Sequence, residues 1–134
     1  MKASAKTKRI SSINSIFFRL LKRVLPLFDG KFEVRLELDT IDRYPEPRNF
    51  AMSSDSVIYL SPKILAADEA RIEGLLMHEL AHVYMMKLGF HEHTELQTDQ
   101  LAELIFEKRI YYDDNDIQTT KRGKHPRPSY LPNW

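Results

Sequence analysis

Within five consecutive residues, His78-Glu79-Leu80-Ala81-His82, the chain places two imidazoles and a carboxylate. On a helix the i, i+4 spacing puts both histidines on one face, one turn apart, where each can offer a ring nitrogen to the same tetrahedral zinc ion. Glu79 projects about 100° around such a helix from His78. That is too far round for a natural third ligand but suits a general base acting on an attacking water. A hydrolytic zinc takes three protein ligands, and the next candidates along the chain are His91, Glu92, His93, Glu95 and Asp99. Glu95 and Asp99 are themselves spaced i, i+4, so one can ligate while the other accepts the remaining N–H of a ligand histidine.

The chain has no cysteine in its 134 residues, which excludes a disulfide framework and a thiolate metal site. Any zinc must then sit on histidine and carboxylate, the ligand set of a hydrolytic centre. A metzincin-type continuation needs glycine three residues after His82 and histidine three residues further on; Met85 and Leu88 occupy those positions and exclude it. His91 and Glu92 read as exposed loop residues, and Met77, Met85 and Met86 as core fillers.

Taken together, the H-E-x-x-H run and the downstream Glu95-Leu96-Gln97-Thr98-Asp99 resemble the gluzincin metallopeptidases, and the short linker and small size resemble the minimal members, the minigluzincins. The resemblance covers roughly residues 32–112. It implies a zincin-like α+β fold with a small antiparallel sheet, an active-site helix and a glutamate helix. It also implies Glu95 as third zinc ligand, Asp99 as the partner of a ligand histidine, His78, and Glu79 as general base. The implied activity is zinc-dependent hydrolysis of a peptide or protein substrate, internal cleavage rather than end trimming, with Val57–Leu60 as the edge strand that an extended substrate joins. Gluzincins add a tyrosine or histidine as a second oxyanion donor, for which His91, His93, Tyr111 and Tyr112 are candidates. The competing reading is a zinc-stabilised binding module with little or no turnover.

The elements that must position these groups are legible in outline. Between residues 10 and 24, Ile10, Ile13, Phe17, Leu20 and Val24, joined by Ile16 and Leu21, follow the three- and four-residue steps of an amphipathic helix. Such a stripe packs on the domain, with attachment to a membrane surface and an organellar transit segment as the alternatives. Phe32, Val34, Leu36 and Leu38 alternate with charged residues as in a half-buried strand. Residues 44–47 read as a loop, 49–52 as a short strand, and 57–60 as another after a serine-rich turn. Ser61-Pro62 and Asp68 start helices, the second running to about residue 88 with Gly89 to end it. Gly74 costs that helix roughly 1 kcal/mol relative to alanine, which marks a close approach by another segment. Thr94 and Gln97 have capping-box spacing, so a further helix is predicted over 95–112, burying Leu101, Leu104 and Ile105.

The formal net charge of +1 gives no global reason to bind nucleic acid, yet it conceals a segregation. Residues 1–28 and 121–134 hold only bases, whereas residues 29–120 hold all 19 acids. Basic arms on an acidic body leave nucleic acid open as a partner. The organisation expected is a basic helix over 1–30, the metallopeptidase body over 31–116 and a basic proline-rich tail over 117–134. The tail is either solvated or docked in the cleft, with Tyr130 or Trp134 in a substrate pocket and His125 near the metal, which would make the enzyme latent. No stretch approaches the roughly 18 apolar residues of a membrane span, and without a recognisable secretory signal the expected location is cytoplasmic.

Overall fold

Ser4 opens the first helix, its hydroxyl accepting from the Thr7 N–H, and α1 then runs over Ala5–Val24. Its start lies five residues ahead of the apolar stripe, because the first turn is held by this cap and not by burial. Ile13, Ile16, Phe17, Leu20 and Val24 are buried, so the stripe faces protein. The computed structural model describes residues 4–38, 51–54, 56–113 and 117–122. A short 3-10 turn, Leu25–Phe28, follows, and Asp29 and Gly30 reverse the chain at positive φ (54° and 77°).

The sheet corrects two expectations. Strand β1 (Arg35–Leu38) pairs in parallel with β3 (Val57–Leu60), while β2 (Ala51–Ser53) pairs antiparallel with β3, so the order is β1-β3-β2 and the sheet is mixed. Val57–Leu60 is therefore the central strand among the described residues, not an edge. Its burial agrees: Val57, Ile58 and Leu60 are all enclosed, as in a strand covered on both faces. The Ser54 N–H on the Val57 carbonyl at 2.8 Å extends the antiparallel pairing of β2 with β3 by one residue. The expected loop at residues 44–47 lies outside the described residues.

Ser61 caps a 3-10 turn over Pro62–Ala66, and Asp68 caps α2 (Glu69–Lys87) through the Arg71 N–H. The end of α2 is a glycine reversal: Gly89 sits at φ +88°, with the Gly89 N–H on Met86 and the Phe90 N–H on Met85. Thr94 and Gln97 form both halves of a capping box at the start of α3 (Glu95–Phe106). This helix ends six residues short of the expectation. Glu107 takes the left-handed conformation (φ 52°) that usually signals itself in a sequence as glycine, and the apolar residues beyond it belong to β4 (Tyr111–Tyr112).

The face of α3 also differs from the expectation. Leu96, Asp99, Ala102 and Phe106 turn inward, Leu101 and Ile105 are only partly buried, and Leu104 is 77% exposed. Two polar residues, Thr98 and Asp99, occupy buried positions that a purely apolar stripe would miss.

Strand β5 (Gln118–Thr119) pairs antiparallel with β4 and lies on α2. A Cβ on Gly74 would meet the Thr119 backbone at 2.7 Å, so Gly74 does mark a close approach. The expected tail from residue 117 thus begins inside the folded body; its remainder, including His125, Tyr130 and Trp134, lies outside the described residues. The fold is α+β, with α1, β3, α2 and α3 sharing one core. Among the described residues no helix is long and apolar enough to cross a membrane.

Candidate metal centre

Helix α2 is buried without a break from Ile72 to Ala81, so His78 (2% exposed) and Glu79 (6%) lie inside the protein on a helix whose position is set by its apolar neighbours. Buried polar side chains need partners. For His78 they come from α3: Nδ1 bonds Asp99 Oδ1 at 2.7 Å, and Nε2 is 2.6 Å from Glu95 Oε2. Asp99 is fully buried, and its other oxygen accepts from the Tyr112 hydroxyl on β4.

His82 stands one turn further along α2. Its Nε2 lies 3.0 Å from His78 Nε2 and 3.4 Å from Glu95 Oε1. Two imidazole nitrogens and both oxygens of one carboxylate therefore converge on a single small volume. Nitrogen lone pairs and a carboxylate are all acceptors, and acceptors brought this close need a positive charge among them. A divalent cation bound by nitrogen and oxygen fits that donor set.

Two carboxylates compete for the role of third ligand. One oxygen of Glu79 lies within 4.8 Å of nitrogens of both histidines, but Glu95 is much nearer, and it approaches from a second helix rather than from between the histidines on the same one. The spacing argument and the distances both favour Glu95. Glu79 has no hydrogen bond to protein among the described residues, which leaves its oxygens available to a small molecule at the site.

The electrostatics follow from the same contacts. Burial works against charge on His78, yet the hydrogen bonds to Asp99 and Glu95 outweigh it and push its pKa up to about 10. Glu95 is held below the usual carboxylate range first by its bond to His78 and then by the nearness of His82, against the opposing effect of its own partial burial.

Of the expected site residues, His78, Glu79, His82, Glu95 and Asp99 are brought together. His91 and Glu92 are exposed on the linker, where with His93, Thr94 and Gln97 they line a groove of about 560 Å³. Tyr112 is spoken for by Asp99 and buried (3% exposed), which removes it as an oxyanion donor. His93 is not on the ligand side of His82; its Nε2 meets His82 Nδ1 at 2.6 Å, on the opposite edge of the ring. Neither contact was readable from spacing. The Tyr112 contact requires the β4–β5 hairpin to lie beside α3, and the His93 contact requires the linker to fold back over α2.

No family model, curated protein or solved structure matches this chain.

Proposed function

We propose that the chain is a zinc-dependent metallopeptidase of the gluzincin type. The observation that supports this reading is the convergence of His78 Nε2, His82 Nε2 and the Glu95 carboxylate, with Glu79 beside them and without a hydrogen bond to protein among the described residues. His78, His82 and Glu95 would hold the metal. When bound, zinc supplies Lewis acidity, polarising the scissile carbonyl and making water acidic enough to lose a proton near neutral pH.

The remaining steps belong to side chains of this chain. Glu79 takes the proton from the attacking water as its oxygen bonds to the carbonyl carbon, then delivers that proton to the amine as the C–N bond breaks. Asp99 keeps the hydrogen of His78 on Nδ1, so that Nε2 presents a lone pair, and the Tyr112 hydroxyl keeps Asp99 in place. The mixed sheet moves the strand that could receive an extended substrate away from Val57–Leu60, which is flanked on both sides.

Two measurements test the reading. Purified chain is assayed for zinc, then for cleavage of an unfolded protein, alongside Glu79→Gln. The expected result is bound zinc in both, with cleavage in the wild type only. Zinc in both with cleavage in neither selects the zinc-stabilised binding module, and a chain that takes up no zinc overturns the metal reading.

A further inference from the structure

The carbonyl oxygen of Phe90 has no hydrogen to give, and it lies 2.9 Å from His93 Nδ1. That contact is a hydrogen bond only if His93 Nδ1 carries the hydrogen. A neutral imidazole has one N–H and one lone pair, so His93 Nε2 is then an acceptor. Its neighbour at 2.6 Å is His82 Nδ1. Two lone pairs at that distance repel, so the hydrogen of His82 sits on Nδ1 and its Nε2 is bare.

We infer that His93 is a positioning residue: relayed from the Phe90 carbonyl, it selects the His82 tautomer whose Nε2 lone pair faces His78 and Glu95. The inference rests on the proposed reading of His78, His82 and Glu95 as zinc ligands. The opposite tautomer would gain only a long contact from Nε2–H to Glu95 Oε1 at 3.4 Å, while it would face the His93 Nδ1 lone pair against the Phe90 oxygen at 2.9 Å and put a hydrogen on the very nitrogen that lies 3.0 Å from His78 Nε2.

The relay is anchored at both ends by backbone. The Phe90 N–H is bound to the Met85 carbonyl, within the glycine reversal that ends α2, which ties Phe90 to the end of that helix. Thr94, the residue after His93, caps α3 and fixes where the linker rejoins helix. Between these two fixed points the chain is short, and His93 has little freedom but to return to α2. The linker is therefore part of the site rather than a connection between two helices.

The two ligand histidines are oriented by different chemistry. His78 Nδ1 faces a buried carboxylate, whereas His82 Nδ1 faces another imidazole. A carboxylate partner raises ligand basicity as well as setting direction, and a neutral imidazole contributes mainly direction. Loss of His93 should accordingly weaken metal binding without abolishing it.

The test uses the full chain and begins without metal. In mildly alkaline buffer, where free imidazoles are neutral, long-range proton–nitrogen spectra of the imidazoles should show both His82 and His93 with hydrogen on Nδ1. A hydrogen on His82 Nε2 overturns the inference. Zinc affinity is then measured by competition with a chromophoric chelator for the wild type, His93→Phe and His93→Gln. Phenylalanine keeps the ring and removes the acceptor, while the glutamine carbonyl lies as many bonds from Cβ as Nε2 and accepts the same hydrogen. His93→Phe should bind about ten- to a hundredfold more weakly and His93→Gln within about threefold of wild type. Equal losses in the two variants would point to packing alone, and no loss in His93→Phe would equally sink the relay. Should the phenylalanine variant fail to fold, the spectra and His93→Gln still decide. Wild-type chain that binds no zinc would remove the ligand reading instead, a result distinct from the tautomer measured on metal-free protein.

Discussion

Asp99 receives His78 Nδ1 at 2.7 Å from one turn inside α3, where it is fully buried and its second oxygen is held by Tyr112. A carboxylate in such a place is tolerable only with both oxygens bonded. Asp99→Asn keeps the shape and removes the charge. On the proposed metal reading its zinc affinity should fall about ten- to a hundredfold, measured by chelator competition, with the fold retained by circular dichroism. Unchanged affinity would mean that Asp99 is structural only.

Tyr112→Phe separates the hydroxyl from the ring. The ring continues to fill the core beside α3, but a buried carboxylate loses a hydrogen bond, which costs about 1.5–3 kcal/mol for a charged acceptor. Denaturant melts of the metal-free protein should show a midpoint lowered by that energy divided by the slope, with the slope itself unchanged. A variant as stable as the wild type would show that Asp99 finds an equivalent partner elsewhere.

Gly74→Ala sets helix propensity against packing. Alanine gains up to about 1 kcal/mol in a helix interior, but its Cβ would stand 2.7 Å from the nitrogen and Cα of Thr119. Those atoms are backbone of β5, whose next residue donates its N–H to the Ala70 carbonyl at 3.0 Å, so they cannot yield by a rotamer change. Overpacking of this kind costs about 1–3 kcal/mol, and the variant should be less stable than the wild type by equilibrium unfolding. A stabilised variant would mean that β5 moves freely off α2.

Local signals accounted for the features that the sequence made legible. Ser61-Pro62, Asp68, Gly89 and the Thr94/Gln97 pair act through their own backbone, and each stands where the pattern placed it. The His78/His82 pair is of the same kind, because i, i+4 spacing fixes two side chains on one face whatever surrounds the helix. What was not legible depends on distant partners. Alternation in residues 32–38 carried the burial of β1 but neither its parallel direction nor its place beside β3. The inward face of α3 departs from the apolar pattern at Leu104 because the buried positions hold Thr98 and Asp99, polar residues whose burial follows from the site and not from hydrophobicity. Glu107 ends α3 with no glycine to announce it.

Zinc uptake should carry a proton signature. In the metal-free protein His78 is protonated well above neutrality, its pKa raised to about 10 by Asp99 and Glu95 over the opposing effect of burial. A metal ligand must be neutral imidazole, so binding near neutral pH releases that proton and affinity should climb by about tenfold per pH unit. Calorimetry in buffers of different ionisation enthalpy measures the release directly. Binding that releases no proton would show that zinc, if held, does not use His78.

Glu73 supplies the corresponding test of acid stability away from the metal. It is buried on α2, ion-paired to Lys108 Nζ at 2.5 Å and to Arg19 on α1. Burial raises its pKa, but the bonds to Lys108 and Thr120 and the charges of Lys108 and Arg19 prevail, and the net shift is downward. A carboxylate with a lowered folded-state pKa contributes stability that is fully present above its unfolded value, roughly 4.3. That contribution is lost as pH falls through the folded value. Glu73→Gln should therefore be less stable than the wild type at neutral pH, and the two should converge in acid, as read from urea midpoints across the range. A constant difference at every pH would mean that Glu73 stabilises the fold by packing and neutral hydrogen bonds, and that the link it makes between α1 and the segment after α3 does not depend on its charge.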